Sequence, residues 1–198
     1  MRIIIVGASG KIGSKVAADL KEGNDIITAG SKTGDYQIDI TSSESITSFF
    51  ENVGSFDALV STVGKAHFGL LKDATAQDYL VGLNDKLLGQ INLVLIGQKY
   101  INKGGSFTLT SGILSDDPIL YGSNLSTVNA GLNGFVLAAS VELQNDIRIN
   151  AVSPGVIEDS PEYHAYFPGH IPVKMPNVVN AYRKSVFGAI NGQVIKVF

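Results

Sequence analysis

The first twenty residues combine a strand, a tight turn and a helix in an order that few folds accommodate. Arg2 to Val6 is a short continuous apolar run, which is typical of a strand buried on both faces of a parallel sheet. The glycine-rich segment VGASGKIG overlaps its end, and Ile12, Val16 and Leu20 then recur at helical spacing. The order of these three elements predicts the opening unit of an α/β domain.

Strand-like and helix-like segments alternate along the rest of the chain. Further strands are predicted at Asp25 to Ala29, Tyr36 to Ile40, Asp57 to Thr62, Ser106 to Thr110, Arg148 to Val152 and Gln193 to Val197. Helices are predicted from a capping box at Thr41 and Glu44, from Thr75 towards Tyr100, and within Leu120 to Leu143. This alternation predicts a parallel sheet covered by helices on both faces, and a length of 198 residues suits a single domain.

Composition and charge exclude several classes of protein. The net charge is −3, and acidic and basic residues are scattered along the chain. This pattern indicates no basic surface for nucleic acid or an anionic membrane. The chain has no cysteine, so disulfides, thiol catalysis and thiolate metal sites are excluded. No segment approaches the roughly 20 apolar residues of a membrane span, and the first apolar run is too short for a signal peptide. We therefore expect a cytoplasmic protein that binds a small molecule and has no nucleic-acid or membrane partner.

The glycine turn after the first strand carries the strongest local indication of a ligand. Gly7, Gly10 and Gly13 let the backbone turn tightly and approach a pyrophosphate. The helix that follows offers free N–H groups and the positive end of its dipole. The alternative is a glycine-rich turn with no ligand, but the position between a buried strand and an amphipathic helix favours a dinucleotide site.

A long irregular segment follows the sixth predicted strand. Residues 156–176 hold four prolines, two histidines and three other aromatic residues, and proline lacks the N–H donor that an interior strand requires. We interpret this segment as a lid over a binding site; the alternative is a surface loop that packs on its own aromatic side chains. His164 and His170 have no carboxylates at a metal-ligand spacing, so we expect no metal site.

Four segments, in the same order, resemble the short-chain dehydrogenase/reductase family. They are the glycine turn GASGKIG, the pair Asp39-Ile40, the segment RINAVSPG and the segment NGQVIKV near the C-terminus. The resemblance implies a Rossmann-like doubly wound sheet in the order 3-2-1-4-5-6-7, a nicotinamide dinucleotide, and a homodimer or homotetramer formed through the long helices. The cofactor-binding positions that it implies are Gly7, Ser9, Gly10, Ile12, Gly13, Asp39, Ile40, Gly64, Asn129, Pro154 and Gly155.

One helix departs from the family pattern. Members of the family carry Tyr-x-x-x-Lys there, in which the tyrosine is the general acid/base and the lysine binds ribose. Alignment on Gly134-Phe135 and Glu142-Leu143 puts Leu125 in the tyrosine position and Asn129 in the lysine position. Tyr121 lies one turn earlier and is followed four residues later by Leu125, so it does not restore the pair.

Three candidate catalytic residues remain. Ser111 in LTSG matches the family's serine that polarises a substrate carbonyl, and Lys86 in DKLLG stands where the family has a catalytic asparagine. Lys86 would supply a charge from a neighbouring helix, with an ordinary surface lysine as the alternative. Tyr121 would act with it only if both side chains meet beside Ser111. His67, in the loop after the fourth strand, is a conceivable proton carrier, with a solvated loop histidine as the alternative.

The end of the second strand predicts which dinucleotide binds. An acidic residue there would bind the ribose 2′-hydroxyl of NAD. Instead, Ser31 and Lys32 offer a hydroxyl and an ammonium, and Asp35 comes several residues later. We therefore predict NADP rather than NAD, with Ser31 and Lys32 at the 2′-phosphate.

Two classes of function follow from these residues. The first is an NADP-dependent oxidoreductase that acts on a small carbonyl or alcohol with an atypical active site. The second is a non-catalytic dinucleotide-binding sensor or scaffold with the same fold. Ser111 and the lid favour the enzyme, whereas the missing Tyr/Lys pair favours the binding protein.

Overall fold

The fold is built on one sheet of seven parallel strands. The computed structural model describes all 198 residues. The strands are β1 (Arg2–Val6), β2 (Asp25–Gly30), β3 (Tyr36–Gln37), β4 (Phe56–Ser61), β5 (Ile101–Thr110), β6 (Arg148–Pro154) and β7 (Val194–Val197). They pair in the order β3-β2-β1-β4-β5-β6-β7, which confirms the predicted Rossmann-like topology.

Helices cover both faces of the sheet. They are α1 (Lys11–Leu20), α2 (Ser43–Val53), α3 (Ala76–Gly82), α4 (Gly89–Gly97), α5 (Ser123–Glu142), α6 (Pro161–His164) and α7 (Met175–Phe187). Thr75 caps α3, as predicted, and α3 continues through a π-helical turn (Leu83–Leu88) into α4. None of these helices has both the length and the apolar character needed to cross a membrane.

Two predicted boundaries after β2 are wrong. β3 covers only two residues and stops short of Ile40. The Asp39 carboxylate accepts hydrogen bonds from the N–H (2.9 Å) and the hydroxyl (2.7 Å) of Thr41, which turns the chain away from the sheet. Because these bonds occupy Thr41, the N-cap of α2 is Ser42, whose hydroxyl accepts a hydrogen bond from the Ser45 N–H at 3.1 Å.

β5 also differs from its predicted bounds. It begins at Ile101 rather than Ser106, because Ile101 pairs with Phe56 at the start of β4. The register shifts between Phe56 and Ala58, so the sheet absorbs an irregularity at this point. The local sequence INKGG has the composition of a turn, which is why the pattern of the chain alone placed the strand later.

Two apolar clusters hold the helices on the sheet. One lies under α2, α4 and α5 and includes Phe50, Leu93 and Val136, while the other lies under α1 and α7 and includes Val16 and Tyr182. Each large apolar side chain buried in this way contributes about 1.5–3 kcal/mol. Because the strands are all parallel, the carboxyl ends of the central strands meet at one edge of the sheet, which is where open α/β sheets bind ligands.

Candidate active site

The turn between β1 and α1 requires glycine for two different reasons. Gly7 has a positive φ of 91°, and a Cβ there would lie 2.7 Å from a methyl carbon of Val63. A Cβ at Gly13 would overlap the carbonyl oxygen of Gly7, so only glycine lets α1 approach β1 this closely. The N-cap of α1 is Gly10, which has no side chain with which to cap the helix. The first N–H groups of α1 are therefore free to bind an anion.

A groove of about 810 Å³ passes over this turn. Eight of the predicted cofactor positions line it, namely Gly7, Ser9, Gly10, Ser31, Lys32, Asp39, Ile40 and Gly64. Lys65 and Asp85 line it as well, and neither was among the predicted cofactor positions. Gly13 lies outside the lining, where its role is the close packing of α1. A glycine turn at a helix N-terminus that opens onto a long groove fits a dinucleotide.

The acidic residues near the groove are held by their own hydrogen bonds. Asp35 accepts hydrogen bonds from the N–H and the hydroxyl of Thr28, each at 2.8 Å, and it does not line the groove. These two bonds, the backbone one first, hold the pKa of Asp35 below its usual value. The hydroxyl and N–H of Thr41 lower the pKa of Asp39 in the same way. The end of β2 therefore gives the groove no free carboxylate.

A second cavity, of about 460 Å³, adjoins the groove. Gly64 and Lys65 line both spaces, and 11 of the 20 residues around the cavity are hydrophobic. Among them is Leu125, the residue in the position expected for a tyrosine. The remaining predicted cofactor positions, Ile12, Asn129, Pro154 and Gly155, line this cavity. Apolar walls with a few polar groups are typical of small-molecule sites.

The segment predicted as a lid forms part of the cavity wall. Its contributing residues are Val156, Ile157, Ser160, Tyr163 and Phe167. Lys11, at the start of α1, reaches across to this segment. Its ammonium lies 3.1 Å from the hydroxyl of Ser160 and 2.7 Å from the carboxylate of Glu162. One side chain therefore ties the glycine turn to the wall of the cavity.

Three buried polar side chains line this largely apolar cavity. Ser111 and Asn129 are only 4% and 2% exposed, and neither the Ser111 hydroxyl nor the Asn129 amide oxygen has a hydrogen-bond partner. Lys86 is 8% exposed, and its ammonium donates to the backbone carbonyls of Thr110 (3.4 Å) and Ser111 (3.3 Å). Seven buried side-chain oxygens of the protein lack a partner, and these two are the ones whose residues line the cavity, where a bound molecule would be able to supply the partners.

Burial changes the acidity of Lys86. Loss of contact with water lowers the pKa of its ammonium to about 8, and the nearby carboxylate of Asp85 offsets part of this effect. Asp85 itself accepts a hydrogen bond from the N–H of Lys65 at 2.6 Å. No carboxylate lies within ion-pair distance of the Lys86 ammonium. An amine with a pKa near neutral pH is suited to exchange a proton with a substrate.

The π-helical turn between α3 and α4 directs adjacent residues into different spaces. Asp85 lines the groove, whereas Lys86 lines the cavity. Gln90 is completely buried and fixes this turn to β5. Its amide N–H groups donate to the carbonyls of Lys86 and Thr110 at 3.0 Å, and its oxygen accepts from the Thr110 N–H at 2.9 Å. Gln90 was not among the predicted site residues, although a glutamine beside Asn92 in the largely apolar segment QINLVLI was an available signal.

The structure does not bring Tyr121 to Ser111 and Lys86. The Tyr121 ring packs on Phe68 and Tyr166, with ring centres 5.7 and 5.9 Å apart, and lines a neighbouring cavity of about 510 Å³. Its φ of 70° places it in a tight turn immediately before α5. Tyr121 therefore connects the loop after β4 to the segment after β6, and the condition for a pair with Lys86, that both side chains meet beside Ser111, is not met.

None of the three histidines lines the cavity of about 460 Å³ that holds Ser111 and Lys86, although His170 lines the neighbouring one beside Tyr121. His67 contacts Asp78 at 3.7 Å, His170 contacts Asp117 at 3.4 Å, and His164 contacts a backbone carbonyl at 3.0 Å. No group of three or more His, Cys, Asp or Glu side chains is placed to hold a metal ion. These contacts join each histidine to a neighbouring segment of the chain rather than to the site.

Comparisons with known proteins agree with this geometry. Residues 8–167 match a family model described as enoyl-(acyl carrier protein) reductase. Among solved structures, the protein lin1944 from Listeria innocua is 43% identical, with a TM-score of 0.98 over 100% of both chains. A small-chain dehydrogenase in complex with NADPH is 26% identical, with a TM-score of 0.88 over 100% of this chain and 96% of its own. No curated protein matches the chain.

Proposed function

Because the chain belongs to the short-chain dehydrogenase/reductase family, we propose that it is an NADP-dependent oxidoreductase that acts on a small apolar carbonyl or alcohol. One observation carries this proposal. The unpaired hydroxyl of Ser111 and the ammonium of Lys86 line one apolar cavity, and that cavity adjoins the groove over the glycine turn. A reacting oxygen in the cavity would therefore meet a hydroxyl donor and a positive charge on the same side.

The preference for NADP is supported by the residues at the end of β2. Ser31 and Lys32 line the groove, while Asp35 is turned back onto Thr28 and does not compete with a phosphate. Lys65 adds a second cation to the same groove. The relative crystallised with NADPH, at 26% identity, is consistent with this choice.

Each residue of the site has a separate task in the proposed reaction. The free N–H groups at the start of α1 bind the pyrophosphate, and the unpaired oxygen of Asn129 accepts a hydrogen bond from a ribose hydroxyl. When bound, the dinucleotide supplies or takes up a hydride. Ser111 donates its hydroxyl proton in a hydrogen bond to the substrate oxygen. Lys86 stabilises the developing negative charge on that oxygen and donates the proton that the missing tyrosine would supply.

The apolar wall sets the class of substrate. Ile113, Leu114 and Leu125 give the cavity hydrophobic walls, and no acidic residue lines it. The cavity has two cations. Lys65 lies at the side that is shared with the groove, and Lys86 lies beside Ser111. We therefore propose an uncharged aldehyde, ketone or quinone as the oxidised substrate, with residues 156–176 as the lid that excludes water from it.

A homodimer or homotetramer is part of the proposal. Four large apolar side chains on the π-helical turn, α4 and α5 are at least 45% exposed, namely Leu88, Leu95, Leu137 and Val141. A monomer would leave them in contact with water. Burial of α5, and of the continuous helix formed by α3, the π-helical turn and α4, against a second copy would remove this surface from solvent.

A non-catalytic dinucleotide-binding protein is the second candidate. The observation that favours it is the presence of Leu125 and Asn129 at the positions where the family carries its tyrosine and lysine. Both candidates require the groove, so cofactor binding does not separate them. Turnover of a carbonyl substrate does.

A cofactor titration tests the first part of the proposal. We expect NADPH to bind more tightly than NADH, and Lys32→Glu to weaken NADPH binding by about tenfold or more while NADH binding changes little. Lys21→Glu, at an exposed lysine after the end of α1, is the matched control for the change in net charge. Equal or tighter binding of NADH to the wild-type protein would reverse the choice of cofactor.

A further inference from the structure

We propose that Lys86 has a second reactivity: without the dinucleotide, its amine captures small apolar aldehydes in the cavity as a reversible imine. This inference uses the cavity of the proposed oxidoreductase but does not depend on cofactor binding or on hydride transfer. It assigns to the site a covalent adduct and a class of ligand that catalysis by Ser111 and Lys86 does not require.

The surroundings of the Lys86 nitrogen leave it free to react. Its only hydrogen-bond acceptors are two backbone carbonyls at 3.3 and 3.4 Å, which are longer than the usual contacts of a charged donor. No carboxylate forms an ion pair with it, because the Asp85 carboxylate is bound to the N–H of Lys65 and lines the groove instead. The charged form is therefore stabilised only by two long hydrogen bonds to carbonyls and by the unpaired, more distant charge of Asp85.

The protonation of Lys86 favours attack at mildly alkaline pH. With a pKa of about 8, roughly half of its side chains are neutral amines at pH 8, whereas an exposed lysine is almost entirely protonated there. The other ionisable groups that line the cavity are Lys65 and Tyr163, and Asp85 is the adjacent residue in the turn. Neither Lys65 nor Tyr163 carries a carboxylate, and the carboxylate of Asp85 lines the groove rather than the cavity.

The cavity supplies the other requirements of imine formation. The apolar residues Ile113, Leu114 and Leu125 bind an alkyl chain, and Ser111 beside Lys86 has a hydroxyl free to donate to the aldehyde oxygen. The nitrogen lone pair attacks the carbonyl carbon, a C–N bond forms, and the C=O double bond becomes a C–O single bond whose oxygen takes up a proton from the nitrogen. Loss of the oxygen as water, with both protons of the amine, then leaves the C=N double bond. No oxidant or reductant takes part in this step.

Reductive trapping tests the proposal on the full chain. The protein, free of dinucleotide, is incubated at pH 8 with hexanal and cyanoborohydride, and modified lysines are quantified by peptide mass spectrometry. We expect Lys86 to be alkylated at least about tenfold faster than the exposed Lys99 and Lys174. Glyoxylate, which carries a carboxylate, should lose this preference because the apolar walls do not bind it. Modification of Lys86 no faster than of the exposed lysines would overturn the proposal.

Two variants separate this reactivity from general changes in the protein. Lys86→Arg should abolish the fast phase, since a guanidinium does not form the imine, while Lys103→Arg, at an exposed lysine that lines neither the groove nor the cavity, should retain it. The comparison among lysines within the wild-type protein needs no variant, so it remains decisive if Lys86→Arg does not fold. Fast capture by a protein that shows no NADPH turnover would support the capture site and reject the oxidoreductase. Turnover with no fast capture would do the reverse.

Discussion

The side chain of Lys86 packs against the backbone of Gly64 so closely that a Cβ at Gly64 would lie 2.5 Å from Lys86 Cγ. Gly64 lines both the groove and the cavity and has a φ of 139°, a conformation that side chains rarely adopt. Lys86 therefore reaches the cavity only because residue 64 has no side chain. At this contact the segment that follows β4 packs directly on the π-helical turn.

Replacement of this glycine should be more costly than replacement of a glycine in open space. Gly64→Ala combines backbone strain with overlap of Lys86, so we expect it to lower the free energy of unfolding by about 2 kcal/mol or more. Gly104→Ala is the matched control, since Gly104 also has a positive φ, of 75°, but has nothing within 4 Å. It should cost only about 1 kcal/mol. Equal losses in urea unfolding would show that the Lys86 contact is unimportant.

Stability should depend on pH through Lys86. Its pKa is about 8 in the folded protein and 10.5 ordinarily, a difference that corresponds to about 3 kcal/mol. Below pH 8 the folded state bears the full cost of burying the charge. Between pH 8 and 10.5 the unfolded state binds more protons, so the free energy of unfolding rises with pH and the cost disappears.

Lys86→Met tests this dependence, because methionine keeps most of the length of the side chain and removes the charge. We expect the variant to be more stable than wild type by about 1–3 kcal/mol at pH 7 and to lose this advantage by pH 10.5. Lys99→Met, at an exposed lysine, should show no such trend. Urea unfolding at both pH values provides the measurement, and a gain that is the same at pH 7 and pH 10.5 would contradict the account.

Gln90 should prove to be a structural requirement of the site. Gln90→Met removes three buried hydrogen bonds and leaves the Thr110 N–H and the Lys86 carbonyl without a side-chain partner, so we expect a loss of about 2–4 kcal/mol. Gln98→Met is the control, since Gln98 is exposed at the end of the same helix, and it should change stability by less than about 0.5 kcal/mol. Similar unfolding midpoints for the two variants would refute the role of Gln90.

The sheet was predictable from sequence because its signals are local. β1, β2 and β4 each contain a short apolar run, and the glycine turn identifies β1 and α1 without reference to the rest of the chain. The predicted boundaries near Asp39 were wrong because either Thr41 or Ser42 is able to serve as the N-cap of α2. Thr41 is instead bound to the Asp39 carboxylate, so Ser42 caps the helix. A count of propensities does not contain that competition.

The candidate site was predictable only in part. Ser111 and Lys86 line the same cavity, because Ser111 directly follows β5 and Lys86 lies on the π-helical turn that packs beside the end of that strand. Tyr121 was misjudged because its placement depends on a left-handed turn and on aromatic contacts with Phe68 and Tyr166, which is 45 residues further along the chain. Contacts between distant loops leave no periodic trace in a sequence.

The most direct test of the account is NADPH oxidation in the presence of a panel of uncharged aldehydes, ketones and quinones. We expect turnover by the wild-type protein, a fall in kcat of about 100-fold or more in Ser111→Ala and Lys86→Met, and rates within about twofold of wild type in Tyr121→Phe. NADPH binding, measured in parallel, should survive in all three variants. Tight NADPH binding without oxidation of any substrate, or oxidation that is insensitive to both Ser111→Ala and Lys86→Met, would contradict the proposed active site.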